Sequence, residues 1–77
     1  MKLGKRIANI RRSKGVSQIF INDSLGKSHG WLSNIESGRR EISAEELGKI
    51  AEILGVDVGV FFRNNLNLPL SYTGTDQ

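Results

Sequence analysis

A single residue, Lys27, separates the glycine that closes one apolar-patterned segment from the serine that can open the next. On the near side, Ser17 reads as the N-cap of a short helix carrying Ile19, Phe20, Ile21 and Leu25, and Gly26 suits a left-handed C-cap. On the far side, Ser28 can cap a further helix that runs to about Ser37 and stops at Gly38. Two short helices joined through so tight a glycine-containing turn cross steeply rather than lie side by side. The rest of the chain must therefore supply the walls that bury their apolar sides.

Those walls are legible as further helices. Leu3, Ile7, Ala8 and Ile10 recur at helical spacing, and Arg11, Arg12 and Lys14 fill a last turn before Gly15, which gives a first helix over about 2–14. Ser43 with Glu46 forms a capping box ahead of Leu47, Ile50, Ala51 and Leu54, and Gly55 ends that fourth helix. Asp57 is placed to cap a short apolar fifth helix with Val60, Phe61 and Phe62, ending near Asn64 or Asn65. The fold class is all-α, five short helices packed orthogonally in one domain over residues 1–65. The second and third helices form a helix-turn-helix unit, whose second helix can enter a DNA major groove. Residues 66–77 break the pattern as a short extended tail. Leu66, Leu68, Leu70 and Tyr72 alternate with Asn67, Pro69 and Ser71, as in an edge strand. This segment could pair with a second copy of itself, pack back on the domain or be disordered, and disorder is expected from Thr73 to Gln77.

Composition removes most chemistries. A chain of 77 residues with no Cys and one His has no ligand set for a zinc site and no thiol nucleophile, so neither metal nor cofactor is implied. Neither a phosphate loop nor an acid–base pair is recognisable, and an enzyme is not expected. No apolar run reaches the length of a membrane span, and the basic start lacks the apolar core of a secretory signal; a cytoplasmic protein with no membrane partner is expected. Charge is the positive clue. Residues 1–40 carry nine Lys and Arg against Asp23 and Glu36, whereas residues 41–77 carry two against six acidic residues. One half is strongly cationic and the other anionic, which suits a molecule that meets a polyanion on one face.

The third helix sharpens that reading. At about 100° per residue, Leu32 and Ile35 mark the buried direction, and Gly30, Ser33, Asn34 and Ser37 occupy the opposite one, with His29 at its edge. A solvated face normally carries Lys and Glu, as the fourth helix does with Glu45, Lys49 and Glu52. This face is small, uncharged and hydrogen-bonding, which suits base edges, since Asn can bond adenine bidentately and Ser serves either partner. Candidate base contacts are therefore Ser28, His29, Gly30, Ser33 and Asn34. Gly30, read as lying inside the helix, fits a close approach to DNA, tight packing on the second helix or simple tolerance within a first turn. Trp31 reads as a half-buried core aromatic. Ser17 and Gln18, at a helix start where free N–H groups attract anions, together with Lys27, Arg39 and Arg40, are candidate phosphate contacts, which position a protein without reading sequence.

Gly15-Val16-Ser17-Gln18, Gly26, Ser28, the run Leu32-Ser33-Asn34-Ile35-Glu36-Ser37-Gly38-Arg39-Arg40, then Leu47, Ile50-Ala51, Leu54-Gly55-Val56 and Phe61-Phe62 together resemble the lambda-repressor-like family of Cro-type helix-turn-helix regulators. The resemblance spans about residues 3–63. It implies a five-helix DNA-binding domain acting as a dimer on an operator, with Gln18 as a phosphate-binding glutamine and Arg11 and Glu36 as an internal ion pair between the first and third helices. It further implies a bacterial or phage-encoded transcriptional repressor whose partners are double-stranded DNA and a second copy of the chain. A module that captures a protein, such as a toxin or antirepressor, is the alternative. The candidate dimer surface is Val58 and Val60, helped by Leu66, Leu68 and Leu70, with Phe61 and Phe62 completing the core. Two positions depart from the family pattern: Asn22 stands where a small residue usually lets the two helices approach, and Lys27 where an apolar residue is usual. Asn22 then needs a partner, because an unpaired buried polar group costs ~1–3 kcal/mol.

Overall fold

The computed structural model describes residues 2–63. Four α-helices, α1 (Leu3–Ser13), α2 (Gln18–Ser24), α3 (Trp31–Glu36) and α4 (Ala44–Leu54), are followed by a 3₁₀ helix over Val58–Phe62. Local chemistry explains their starts. The Ser17 hydroxyl accepts from the Phe20 N–H at 3.0 Å. Ser43 and Glu46 close a full capping box, each side chain accepting from the other's backbone N–H at 3.0 Å.

The apolar stripes converge on one core. Ile7, Ile21, Leu32, Ile50 and Phe61 are fully buried, with Ile10, Trp31, Ile35, Leu47 and Leu54 around them. Each such side chain stabilises the fold by about 1.5–3 kcal/mol through burial. Helix α3 packs on both α1 and α2, while the 3₁₀ helix bridges α1 and α4. Among the described residues no helix is long and apolar enough to cross a membrane.

Three expectations need correction. The third helix does not start from Ser28: Gly30 stands at its N-cap with φ of 116°, a left-handed backbone that L side chains rarely adopt, so the chain cannot become helical before Trp31. The glycine is required by this conformation, since a Cβ there would meet nothing closer than the Ser33 Oγ at 3.9 Å. The fifth helix is a single 3₁₀ element that ends at Phe62, and the Asp57 side chain makes no cap bond; its carbonyl accepts from the Val60 N–H at 2.9 Å. So short a turn offers one inward direction. Phe61 takes it, leaving Phe62 exposed, and the outward apolar pair is Val58 and Phe62, with Val60 half-buried against the core. The alternating segment with Leu66, Leu68 and Leu70 lies outside the described residues.

Candidate nucleic-acid interface

The outward face of α3 is held in place from behind by four polar or steric devices. The first is Asn22. Its side chain is buried in the α2–α3 contact, and its Oδ1 accepts from the Leu32 N–H at 3.1 Å. Leu32 is the second residue of α3, the position whose free N–H an N-cap side chain normally satisfies. Gly30 has no side chain to offer, so α2 supplies the cap across the interface. The polar residue that departs from the family pattern thus has its partner.

A second device ties the far end of α3 to α1. Arg11 Nε donates to Glu36 Oε2 at 2.7 Å and its Nη2 to Oε1 at 3.1 Å, a two-pronged pair whose side chains are only 10% and 6% exposed. Arg11 also donates to the Val16 carbonyl at 2.8 Å, fixing the turn ahead of α2. Gln18 Nε2 completes the cluster, donating to Glu36 Oε1 at 2.8 Å. Gln18 retains a second N–H for a ligand, because a carboxamide nitrogen carries two donors.

Third, Gly4 lets α1 touch α3 directly. A Cβ on Gly4 would collide with the carbonyls of Ile35 and Glu36, so only glycine permits this crossing. Nothing in the sequence marked Gly4. The fourth device is Lys27, expected to reach a phosphate. Its ammonium instead donates to Glu46 Oε2 at 2.8 Å and lies 5.2 Å from the centre of the Trp31 ring, so the turn is strapped to α4. These contacts hold the Glu46 carboxyl down to about 2, mainly through the Lys27 ammonium and next through the Ser43 N–H. Trp31 itself is buried rather than half-buried.

On the front, Ser33 and Asn34 are half-buried and Ser37 is exposed, with Ser28 and His29 exposed on the connection into the helix. Ser33 and Ser37 turn their hydroxyls back to the carbonyls of Gly30 and Asn34, at 3.0 and 3.1 Å. Asn34 organises the segment that follows: its carbonyl accepts from the N–H groups of Arg39 and Arg40 at 2.9 and 3.1 Å, and its Oδ1 from Arg39 Nε at 3.1 Å. The exposed guanidinium of Arg39 is thereby laid beside the uncharged face. The side-chain oxygen of Asn34 keeps a second lone pair, so it can still pair with a base. Ile19 and Phe20, next to Gln18 on α2, are more than half exposed, an apolar patch that the pattern of the short helix did not single out.

A sequence model of the helix-turn-helix family matches residues 7–61, a span that contains α2, α3 and their connection. The chain belongs to the helix-turn-helix family. It is 37% identical over 59 residues to the ImmF control region 10 kDa protein of Bacillus phage phi105, covering 77% of this chain and 66% of that one. It is 37% identical over 54 residues to an uncharacterized HTH-type transcriptional regulator of Sinorhizobium fredii, covering 70% of each. A similar regulator of Sinorhizobium medicae is 34% identical over 62 residues, which are 80% of this chain but 45% of that protein. This chain thus spans about two thirds of the first two relatives and under half of the third. No solved structure gives a match. Within the helix-turn-helix frame the connection between α2 and α3 runs over residues 25–30, longer than the glycine-to-serine spacing suggests, because Gly30 delays the helix.

Proposed function

We propose that the protein is a sequence-specific DNA-binding transcriptional regulator, a homodimeric repressor that places α3 in the major groove of a near-palindromic operator. The observation that carries this reading is the uncharged outer face of α3, fixed from behind by Asn22, Gly4 and the Arg11–Glu36 pair and bordered in front by Arg39. Ser33 and Asn34 meet base edges from the helix, Ser28 and His29 from the connection before it, and Gly30 through its backbone. Ser17, Gln18, Arg39 and Arg40 take the phosphates on either side. Lys27 leaves this set, because its ammonium is already held by Glu46 and Trp31. The DNA-binding unit is residues 1–65. Val58 and Phe62, the exposed apolar residues of the 3₁₀ helix, form the centre of the dimer surface, which must set two copies of α3 about 34 Å apart, one turn of DNA.

The ImmF control region protein and the HTH-type regulators support the regulatory role, being similar in sequence across this same unit. The test is binding to a selected operator and to random duplex across a salt series. Asn34→Ala is expected to cost ~1–3 kcal/mol on the operator and to relax specificity at one base pair, with a smaller loss on random DNA through the Arg39 guanidinium that its Oδ1 holds. Arg39→Ala is expected to weaken both and to flatten the salt slope by about 0.9. Equal losses for Asn34→Ala on operator and random DNA would overturn the assignment of the reading face.

A further inference from the structure

Helix α2 turns a single arc outward: Ile19, Phe20, Asp23 and Ser24 are exposed, while Ile21 and Asn22 are buried and Leu25 is half-buried. Ile19 and Phe20, at 57% and 55% exposed, make up the apolar part of the arc, and Asp23 is its one charge. Helix α4 presents Glu45, Lys49 and Glu52 on its outer side, so this chain does not leave apolar groups in water on every short helix. The large apolar side chains exposed among the described residues fall into two pairs, this one and Val58 with Phe62. Helix α2 packs on α3 and the 3₁₀ helix on α1 and α4, so a dimer closed through Val58 and Phe62 leaves the α2 arc uncovered.

We infer that the α2 arc docks against the same arc of a second copy bound beside it on one duplex, which makes binding to neighbouring operators cooperative. The inference rests on the reading of α3 as the groove-inserted helix and of the protein as a dimer. Area decides against a free-standing interface. About 100 Å² of each of the two side chains is open, so a pair of arcs buries about 400 Å², far below the ~1,200 Å² of a stable interface. The partner must therefore already be held nearby. The arc starts one residue past Gln18, a candidate phosphate contact, so the duplex itself is what holds it there. A contact this small then suffices, because a shared template raises the local concentration of the neighbour to the order of millimolar. Symmetry identifies that neighbour. Two palindromic sites in tandem are related by a two-fold axis midway between them, so the facing halves of the two dimers present identical surfaces, as an isologous contact requires. Apolar side chains then meet apolar side chains, and in an antiparallel meeting the two Asp23 carboxylates stand at opposite ends. A basic partner would find one carboxylate to pair with.

The experiment compares wild type, Ile19→Gln, Phe20→Gln and the double variant on duplexes carrying one operator or two, with the spacing stepped by single base pairs through a full turn. Wild type is expected to fill the second operator about 10–100-fold more tightly than the first where the arcs face each other, and to lose that gain half a turn away. The double variant should bind one operator as wild type does and gain nothing from a second at any spacing. Its melting should match wild type, since both altered side chains are exposed. Phe62→Gln, in the dimer surface, should instead weaken binding to one operator. No gain for wild type at any spacing, a gain retained by the double variant, or a loss by the double variant on one operator overturns the arc contact while the reading of α3 stands. Stimulated transcription from a one-operator promoter that the double variant loses would assign the arc to the polymerase and overturn the second copy as its occupant. Failure of wild type to bind any duplex removes the reading of α3 itself, and this inference with it.

Discussion

Helix α4 carries its own start, with Ser43 and Glu46 exchanging hydrogen bonds across one turn, whereas α3 takes its start from Asn22 on a neighbouring helix. The first arrangement is local: eleven residues, a capping box and acidic side chains at the positive end of the dipole all favour helix before anything packs on it. The second is tertiary. Six residues introduced by a left-handed glycine are far below the length at which an isolated helix persists, so α3 exists because α1 and α2 hold it. The helix assigned to reading DNA is thus the one whose position is set entirely by others.

The contrast is broken most severely at Arg11. Arg11→Met leaves Glu36 buried against Gln18 alone and is expected to cost about 3–5 kcal/mol in urea denaturation; a loss near zero would mean that the pair does not anchor α3. Asn22→Ala is next, at ~1–3 kcal/mol, since it orphans the Leu32 N–H. It should weaken operator binding more than random-DNA binding, and Asn22→Asp, which keeps an acceptor, should recover part of both. Ser43→Ala is expected to cost about 1 kcal/mol and to leave the ratio of operator to random-DNA affinity unchanged, as the Ser43 hydroxyl bonds within the first turn of α4 and leaves the Lys27–Glu46 contact in place. If that ratio shifts as far as it does for Asn22→Ala, the two helix starts are not independent.

The smallest effect is one of pH. Because the folded state lowers the Glu46 pKa from 4.5 to about 2, the Lys27–Glu46 contact stabilises the protein in full above the ordinary glutamate value and is lost as pH falls through that interval. Thermal melts should therefore show wild type losing more stability than Glu46→Gln between about pH 4.5 and 2. Parallel curves would show that the strap from the turn to α4 does not contribute.

Where structure is local, the sequence was sufficient. The boundaries of α1 and α4, the Ser17 cap and the Ser43–Glu46 box follow from spacing and capping chemistry, and the outward direction of α3 follows from Leu32 and Ile35. What could not be read depends on meetings between distant segments. Gly4 resembles any early-helix glycine until α3 crosses it, and Lys27 resembles a surface cation until Glu46, 19 residues on, comes beside it. Asn22 was recognisable as a polar residue in need of a partner, but no pattern pointed to the Leu32 N–H. An interior glycine and an N-cap glycine differ only in φ, so the sequence does not separate the two at Gly30, and a 3₁₀ turn points successive side chains elsewhere than an α-helix does, which puts Phe62 outside the core.

The bond from Asn22 is made to the backbone of Leu32, a fully buried residue of α3, and uses none of the side chains of Ser33, Asn34 and Ser37. Attachment and recognition are therefore separable: the three outward positions can be randomised together without touching what seats the helix. Natural relatives could diverge in target by changing those few codons alone, and a library built there should return mostly folded proteins with altered operators.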